Sequence, residues 1–156
     1  MLNRKRPARR AIDEQGNRAN LVFVTICTKE RKPILANPEV HSLLKECWSD
    51  SSQWMVGCCV IMPDHVHLFC APCGKEFVNV RDWIAYWKSL SARHWPRSDQ
   101  HPIWQREAWD RQLRSSESYS LKWEYVRGNP VRHKLVADPD EWPYQGELNS
   151  LTWHEP

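Results

Sequence analysis

Gln53 to Ala71 reads QWMVGCCVIMPDHVHLFCA, two apolar runs rich in Val, Ile, Phe and Cys that are broken once by Pro63-Asp64. β-Branched and aromatic residues suit a pleated, half-buried surface, and a short Pro-Asp link between two such runs predicts an antiparallel hairpin. Side chains alternate along a strand, so His65, His67 and Phe69 are expected to face one way and Val66, Leu68 and Cys70 the other. The Val, Leu and Cys side suits packing beneath helices. Both imidazoles are then left together on the opposite face of the sheet.

Upstream, NLVFVTICT (Asn20–Thr28) has the same strand-like composition. Asn37-Pro38 supplies an N-cap and a first-turn proline, and Val40, Leu43, Leu44, Cys47 and Trp48 follow at helical spacing. Downstream, Val80, Trp83, Ile84, Trp87 and Leu90 mark the apolar face of a helix over Phe77–His94, ended by Pro96. Ile103–Arg114 alternates weakly and is read as a fourth strand. Ser115-Ser116 caps a helix reaching about Gly128, where Asn129-Pro130 is expected to stop it, because a residue before proline is pushed out of the helical region. The rest reads as an irregular tail wrapping the domain. Strand, helix, strand, strand, helix, strand is the order of the split βαβ, ferredoxin-like palm: an α+β fold with an antiparallel sheet, helices on one face, and the C-terminal helix, which carries Tyr125, free to lie across the other.

At 156 residues the chain has the length of one domain. The expected organisation is a basic flexible arm at 1–19, the domain at 20–145 and a C-terminal tail at 146–156. A hydrophobic fraction of 41% with 26% charged residues is the balance of a soluble globular protein, and no apolar run approaches a bilayer span. The N-terminus lacks the apolar core of a secretory signal, which predicts a cytoplasmic location with reduced, mostly buried cysteines. The net charge of +3 does not demand a polyanionic partner, but Arg4, Lys5, Arg6, Arg9 and Arg10 concentrate basic charge at one end. Arg106, Arg111, Arg114, Arg127 and Arg132 are further candidates for phosphate contacts, or else solvated surface charges. The ten tryptophans are open to two readings, core residues or base-stacking platforms.

His65 and His67 also have two readings. They are ordinary strand residues bonded to neighbours, or they form a two-point clamp for a divalent metal that needs one or two further oxygen or nitrogen ligands. Structural zinc would recruit thiolates; Cys70 and Cys73 have a suggestive spacing, but Cys70 has the parity of Val66. A histidine-triad hydrolase needs a third histidine where Phe69 stands, and a G-x-S-x-G nucleophile elbow is absent. In SYSLKWEYVRGNP, Tyr119, Trp123 and Val126 form an apolar stripe, while Leu121, Tyr125 and Asn129 stack at i, i+4 and i+8 on one flank. Tyr125 and Asn129 can therefore face one site. A tyrosine hydroxyl beside a metal-bound phosphate can attack phosphorus and give a phosphotyrosine. Equally, Tyr125 can be a half-buried helix tyrosine and Asn129 a helix-terminal residue satisfying backbone groups.

Taken in order, LVFVTICTKERKPIL, VIMPDHVHLF, IWQREAWDRQLRS, EYVRGNPVRHKLV and DEWPY resemble the single-tyrosine HUH transposases of the IS200/IS605 type, and among them the REP-associated branch. The resemblance implies a ferredoxin-like palm that cleaves and rejoins single-stranded DNA. It places His65 and His67 at the two histidines of the HUH motif, Tyr125 at the catalytic tyrosine and Asn129 at the third metal ligand. It also implies Mg²⁺ or Mn²⁺, no nucleotide cofactor, a hairpin-forming DNA partner, a 5′-phosphotyrosine with a free 3′-OH, and a monomer or homodimer. A non-catalytic nucleic-acid-binding module on the same palm is the alternative, predicting binding without a covalent product.

Overall fold

The computed structural model describes residues 21–151, apart from residues 75 and 77 and the side chains of Ser116 and Glu117. The arm expected at 1–19, Asn20, Phe77 and the end of the tail lie outside the described residues.

The β2–β3 hairpin forms where the Pro-Asp link predicts it. Strands β2 (Trp54–Ile61) and β3 (His65–Pro72) pair antiparallel, and the Met62 N–H donates to the His65 carbonyl at 2.8 Å across the turn. Strand β1 (Val22–Cys27) lies on the other side of β3, with Thr25 opposite His67 and Cys27 opposite His65. Strands β4 (Trp109–Gln112) and β5 (Gln145–Glu147) complete an antiparallel sheet of order β4-β1-β3-β2-β5.

Helices α1 (Pro38–Ser49) and α2 (Val80–Arg93) cover one face. The N-cap of α1 is the one the sequence suggests, Asn37 Oδ1 accepting the Val40 N–H at 2.9 Å; α2 begins later than Phe77, with Asn79 Oδ1 as its cap accepting the Arg81 N–H at 2.8 Å. Val40, Leu44, Cys47 and Trp48 from α1 and Val80, Trp83, Ile84 and Trp87 from α2 pack on Val22, Val24, Ile26, Val66, Leu68 and Cys70. Trp48, Trp83 and Trp87 are fully buried and meet edge-on, Trp48 to Trp87 at 5.6 Å between ring centroids. These tryptophans are core residues, which removes them as base-stacking platforms.

The second face carries Leu21, Phe23, Cys58, Val60, Met62 and Phe69, covered by Tyr119, Trp123 and Val126 of α3 (Ser116–Arg127) and by Trp142. The parity of β3 therefore holds along its length. That of β2 changes phase: Val56 pairs with Cys70 but Cys59 with Leu68, so a bulge adds one residue and puts Val56 and Cys59 on the same face. Gly57 sits in this bulge, where a Cβ would stand 2.6 Å from Leu151 Cδ1 and 3.0 Å from Tyr119 Oη.

Two expectations need correction. α3 ends at Arg127 with Gly128 as its C-cap, where the sequence suggests, but the chain does not leave the helical region there: Gly128 stays right-handed (φ −80°, ψ −8°), and Asn129–Arg132 form a short helix, α4. Proline in the first turn of a helix loses no hydrogen bond, so Pro130 begins a helix as readily as it ends one. The tail is also not wholly irregular, because Gln145–Glu147 adds β5 to the edge of β2. Trp142 locks it in place by donating its Nε1–H to the Ile61 carbonyl at 3.1 Å. Among the described residues, no helix is long and apolar enough to cross a membrane.

Candidate active site

Adjacent outward positions on β3 bring the His65 and His67 rings to 4.7 Å between centroids, with 76° between their planes. Each ring is held by its Nδ1. His65 Nδ1 lies 2.7 Å from Asp64 Oδ1, and because a carboxylate only accepts, Nδ1 is the nitrogen that carries the proton. His67 Nδ1 lies 3.0 Å from the Thr25 hydroxyl, its cross-strand neighbour, and Phe23 stacks on the ring at 5.3 Å and 19°. In both rings Nε2 remains as the potential ligand atom.

Burial pushes the His67 pKa down, and the charges of His65, Lys122, Arg132 and Arg31 push it further, to about 3. Burial also lowers His65, against the opposing pull of Asp64. Both imidazoles are therefore neutral at neutral pH, the state a metal ligand requires. At Asp64 burial works to raise the pKa, but the hydrogen bonds with Arg31 and His65 outweigh it and leave the carboxyl below its ordinary value.

The segment preceding α1 folds around the hairpin turn. Thr28, fully buried, donates its N–H to the Asp64 carbonyl at 3.0 Å and its hydroxyl to the Lys32 carbonyl at 2.8 Å. Between them Glu30 and Arg31 both have left-handed backbones, with φ of 58° and 55°. For residues with a Cβ this costs on the order of 1–2 kcal/mol each. It brings Arg31 Nε to 3.0 Å from Asp64 Oδ2.

Across the same face lies α3, capped by Ser115 Oγ on the Ser118 N–H at 3.0 Å. Tyr119 and Trp123 meet Phe69 edge-on at 4.8 and 6.2 Å, and Val126 is buried. Tyr125, one turn along the other flank, is 60% exposed. The Arg132 guanidinium lies 4.0 Å over the Tyr125 ring, and the Lys122 ammonium lies 5.5 Å from that ring and 4.9 Å from Phe23. Phe23 and Lys122 thus bridge Tyr125 to His67. Arg132 also donates to the Tyr125 carbonyl at 2.5 Å and to Asn129 Oδ1. Gly128 permits this, since a Cβ there would stand 2.8 Å from Arg132 Nη1.

Of the four tyrosines, only Tyr125 combines exposure with this face. Tyr119 buries its hydroxyl beside Cys58, and Tyr144 packs edge-on against Trp142. Tyr86 is exposed, but it belongs to α2 on the opposite side of the sheet.

The structure thus brings the predicted His65 and His67 together, and Tyr125 and Asn129 together at the α3–α4 junction. Among the described residues no three His, Cys, Asp or Glu side chains converge as a metal site. A metal at the histidine pair would need a ligand of another kind, such as the Asn129 amide oxygen. Cys70 is in the core beneath the helices, on the far side of the sheet from the histidines. Arg127 is engaged with Asp140 and with Glu124 at 3.6 Å, whereas Arg106, Arg111 and Arg114 are exposed. Sequence reasoning missed Thr25, Arg31, Asp64 and Lys122. Asp64 could have been found, since it directly precedes the first histidine; the others enter only through strand register and the approach of α3.

An α+β fold with an oriented histidine pair on one sheet face, beneath a helix presenting an exposed tyrosine, defines the class of protein. Residues 19–127 match the family described as "Transposase IS200 like", and the chain belongs to that family. It is 24% identical over 127 residues to a REP-associated tyrosine transposase of Escherichia coli, covering 78% of this chain and 73% of that one. It is 29% identical over 142 residues to a Haemophilus influenzae protein named "Putative REP-associated tyrosine transposase", covering 81% and 79%. The fold matches the structure of a REP-associated tyrosine transposase bound to a REP hairpin, with a TM-score of 0.68 at 16% identity over 97% of this chain and 98% of that one.

Proposed function

We propose that this transposase cleaves and rejoins single-stranded DNA next to a hairpin, with Tyr125 as the nucleophile and His65, His67 and Asn129 as ligands of Mg²⁺ or Mn²⁺. The observation that carries the reading is an exposed tyrosine, with two cations at its ring, on the sheet face that bears two neutral, oriented imidazoles. The hairpin comes from the relative whose structure contains one.

The donor set fits a divalent ion on one observation: both Nδ1 atoms are engaged, which leaves two Nε2 donors, to which the Asn129 amide oxygen would add a third. When bound, the ion supplies Lewis-acid polarisation of a non-bridging phosphate oxygen. Arg132 holds Asn129 Oδ1 in this structure. A phosphate oxyanion is a stronger partner for the guanidinium than an amide oxygen, so DNA entering the site frees Asn129. Lys122, Arg132 and Arg31 surround the phosphate with positive charge. The Tyr125 oxygen attacks phosphorus as its phenolic proton passes to water, the bond to the 3′ oxygen breaks and that oxygen takes up a proton from water, and the products are a 5′-phosphotyrosine and a free 3′-OH. Attack of a 3′-OH on that phosphotyrosine reverses the step and rejoins the strand.

Incubation with hairpin-bearing single-stranded DNA and Mg²⁺ should yield a denaturant-resistant protein–DNA adduct, absent with Tyr125→Phe. Binding without adduct formation in the wild type would leave the non-catalytic nucleic-acid-binding module as the account.

A further inference from the structure

We propose that Arg31 and Asp64 are positioning residues for His65, fixing its tautomer so that Nε2 is its metal donor. The inference rests on the metal reading above, and its geometry is independent of that reading. One carboxylate is shared in a line: Arg31 Nε donates to Asp64 Oδ2 at 3.0 Å, and Asp64 Oδ1 accepts from His65 Nδ1 at 2.7 Å. Arg31 Nη2 also comes to 3.4 Å from His65 Nδ1, but two protonated nitrogens cannot bond each other. Asp64 therefore takes the ring proton, and Arg31 holds Asp64.

The backbone shows that this line is built. An ordinary surface ion pair forms from relaxed chain, whereas Arg31 arrives through two successive left-handed residues, Glu30 and Arg31. Such conformations persist where the surroundings over-determine them. Here they do: the Lys29 N–H donates to the Ile103 carbonyl at 2.8 Å, the Arg31 N–H donates to the Thr28 carbonyl at 3.2 Å, and Thr28 itself is tied to Asp64. His67 is held differently. Its partner Thr25 is a hydroxyl, which can donate or accept and so does not dictate the tautomer. His67 is the internal control.

The test uses the full chain, labelled with ¹⁵N in histidine, and compares the wild type with Arg31→Met and Asp64→Ala. The Arg31 side chain is 53% exposed, so its removal should not unfold the protein. Long-range ¹H–¹⁵N spectra of metal-free protein should show His65 protonated on Nδ1 in the wild type. They should show it shifted toward the Nε2–H form in Asp64→Ala and, to a smaller extent, in Arg31→Met, with His67 unchanged. Titration with Mn²⁺ alone, read by the electron paramagnetic resonance of the free ion, should show both variants binding about 10- to 100-fold more weakly. An unaltered His65 tautomer in both variants would overturn the proposal, as would a tautomer shift that moves Mn²⁺ affinity less than about twofold. A wild type that binds no Mn²⁺ would refute the metal reading and with it the donor role given to Nε2, while the tautomer spectra would still show whether Arg31 and Asp64 orient the ring.

Discussion

Lowering the pH from 7.5 to 5.0 should destabilise the metal-free protein by about 2 kcal/mol through His67 alone. Burial and the surrounding positive charges hold the native ring at a pKa of about 3, so it stays neutral throughout this window. In the unfolded chain the ring titrates near its ordinary value of about 6.5 and is protonated at pH 5. The unfolded state then binds more protons than the native state, and stability falls as pH falls. The loss per group is RT ln(1 + 10^(6.5 − pH)), which is about 2 kcal/mol at pH 5.0 and close to zero at pH 7.5. The result is insensitive to the depth of the shift, because any native pKa well below 5 gives the same figure. Asp64 acts in the same sense, since its depressed pKa gives stabilisation that is lost as pH falls, but that loss comes only below the ordinary carboxylate range, outside the window. Urea unfolding in EDTA at the two pH values, for the wild type and His67→Gln, isolates the effect, since His65 and His41 remain in both proteins. The wild type should lose about 2 kcal/mol more than the variant. Parallel losses within about 0.5 kcal/mol would mean that the ring titrates freely, and would refute its placement between Phe23 and the cations.

Gly128→Ala should leave stability within about 1 kcal/mol, since the backbone there is already helical, yet lower DNA cleavage by displacing Arg132 from Tyr125 and Asn129; urea melts and cleavage rates on the same preparation check it. Trp87→Ala should cost about 3–5 kcal/mol by chemical denaturation, because the ring is fully buried against Trp48, Trp83 and Trp104. The folded fraction of that variant should bind hairpin DNA as tightly as the wild type, which a stacking role would not allow. EDTA should suppress strand cleavage and Mg²⁺ or Mn²⁺ restore it; cleavage undiminished by chelation would remove the metal from the mechanism.

The histidine pair was legible in the sequence because a strand has period two and its neighbours declare the faces. Val66, Leu68 and Cys70 had to go under helices, and Phe69 had to follow His65 and His67 to the other side. The same logic does not extend along β2, where the bulge at Gly57 resets the alternation without a sequence mark beyond the glycine. β5 escaped because QGE is short and polar and takes its place from the Trp142 anchor and the free edge of β2, neither of which is a local property. At the tyrosine helix, the i, i+4 relation of Tyr125 and Asn129 was readable, but Pro130 was read as a terminator when it sits in the first turn of a helix. That a single arginine three residues beyond Asn129 engages both residues depends on the missing Cβ of Gly128. The strained turn carrying Arg31 was invisible for a similar reason: Glu30 and Arg31 are poor choices for a left-handed backbone, and tertiary hydrogen bonds from Thr28, Lys29 and Lys32 hold them there.

Tyr125 should become covalently joined to DNA. After reaction with hairpin-bearing single-stranded DNA and Mg²⁺, nuclease trimming and tryptic digestion, mass spectrometry should find the residual nucleotide on the peptide Trp123–Arg127, whose only hydroxyl side chain is Tyr125. Nucleotide on the peptide bearing Tyr86, Tyr119 or Tyr144, or cleaved DNA with no protein-linked product, would contradict it.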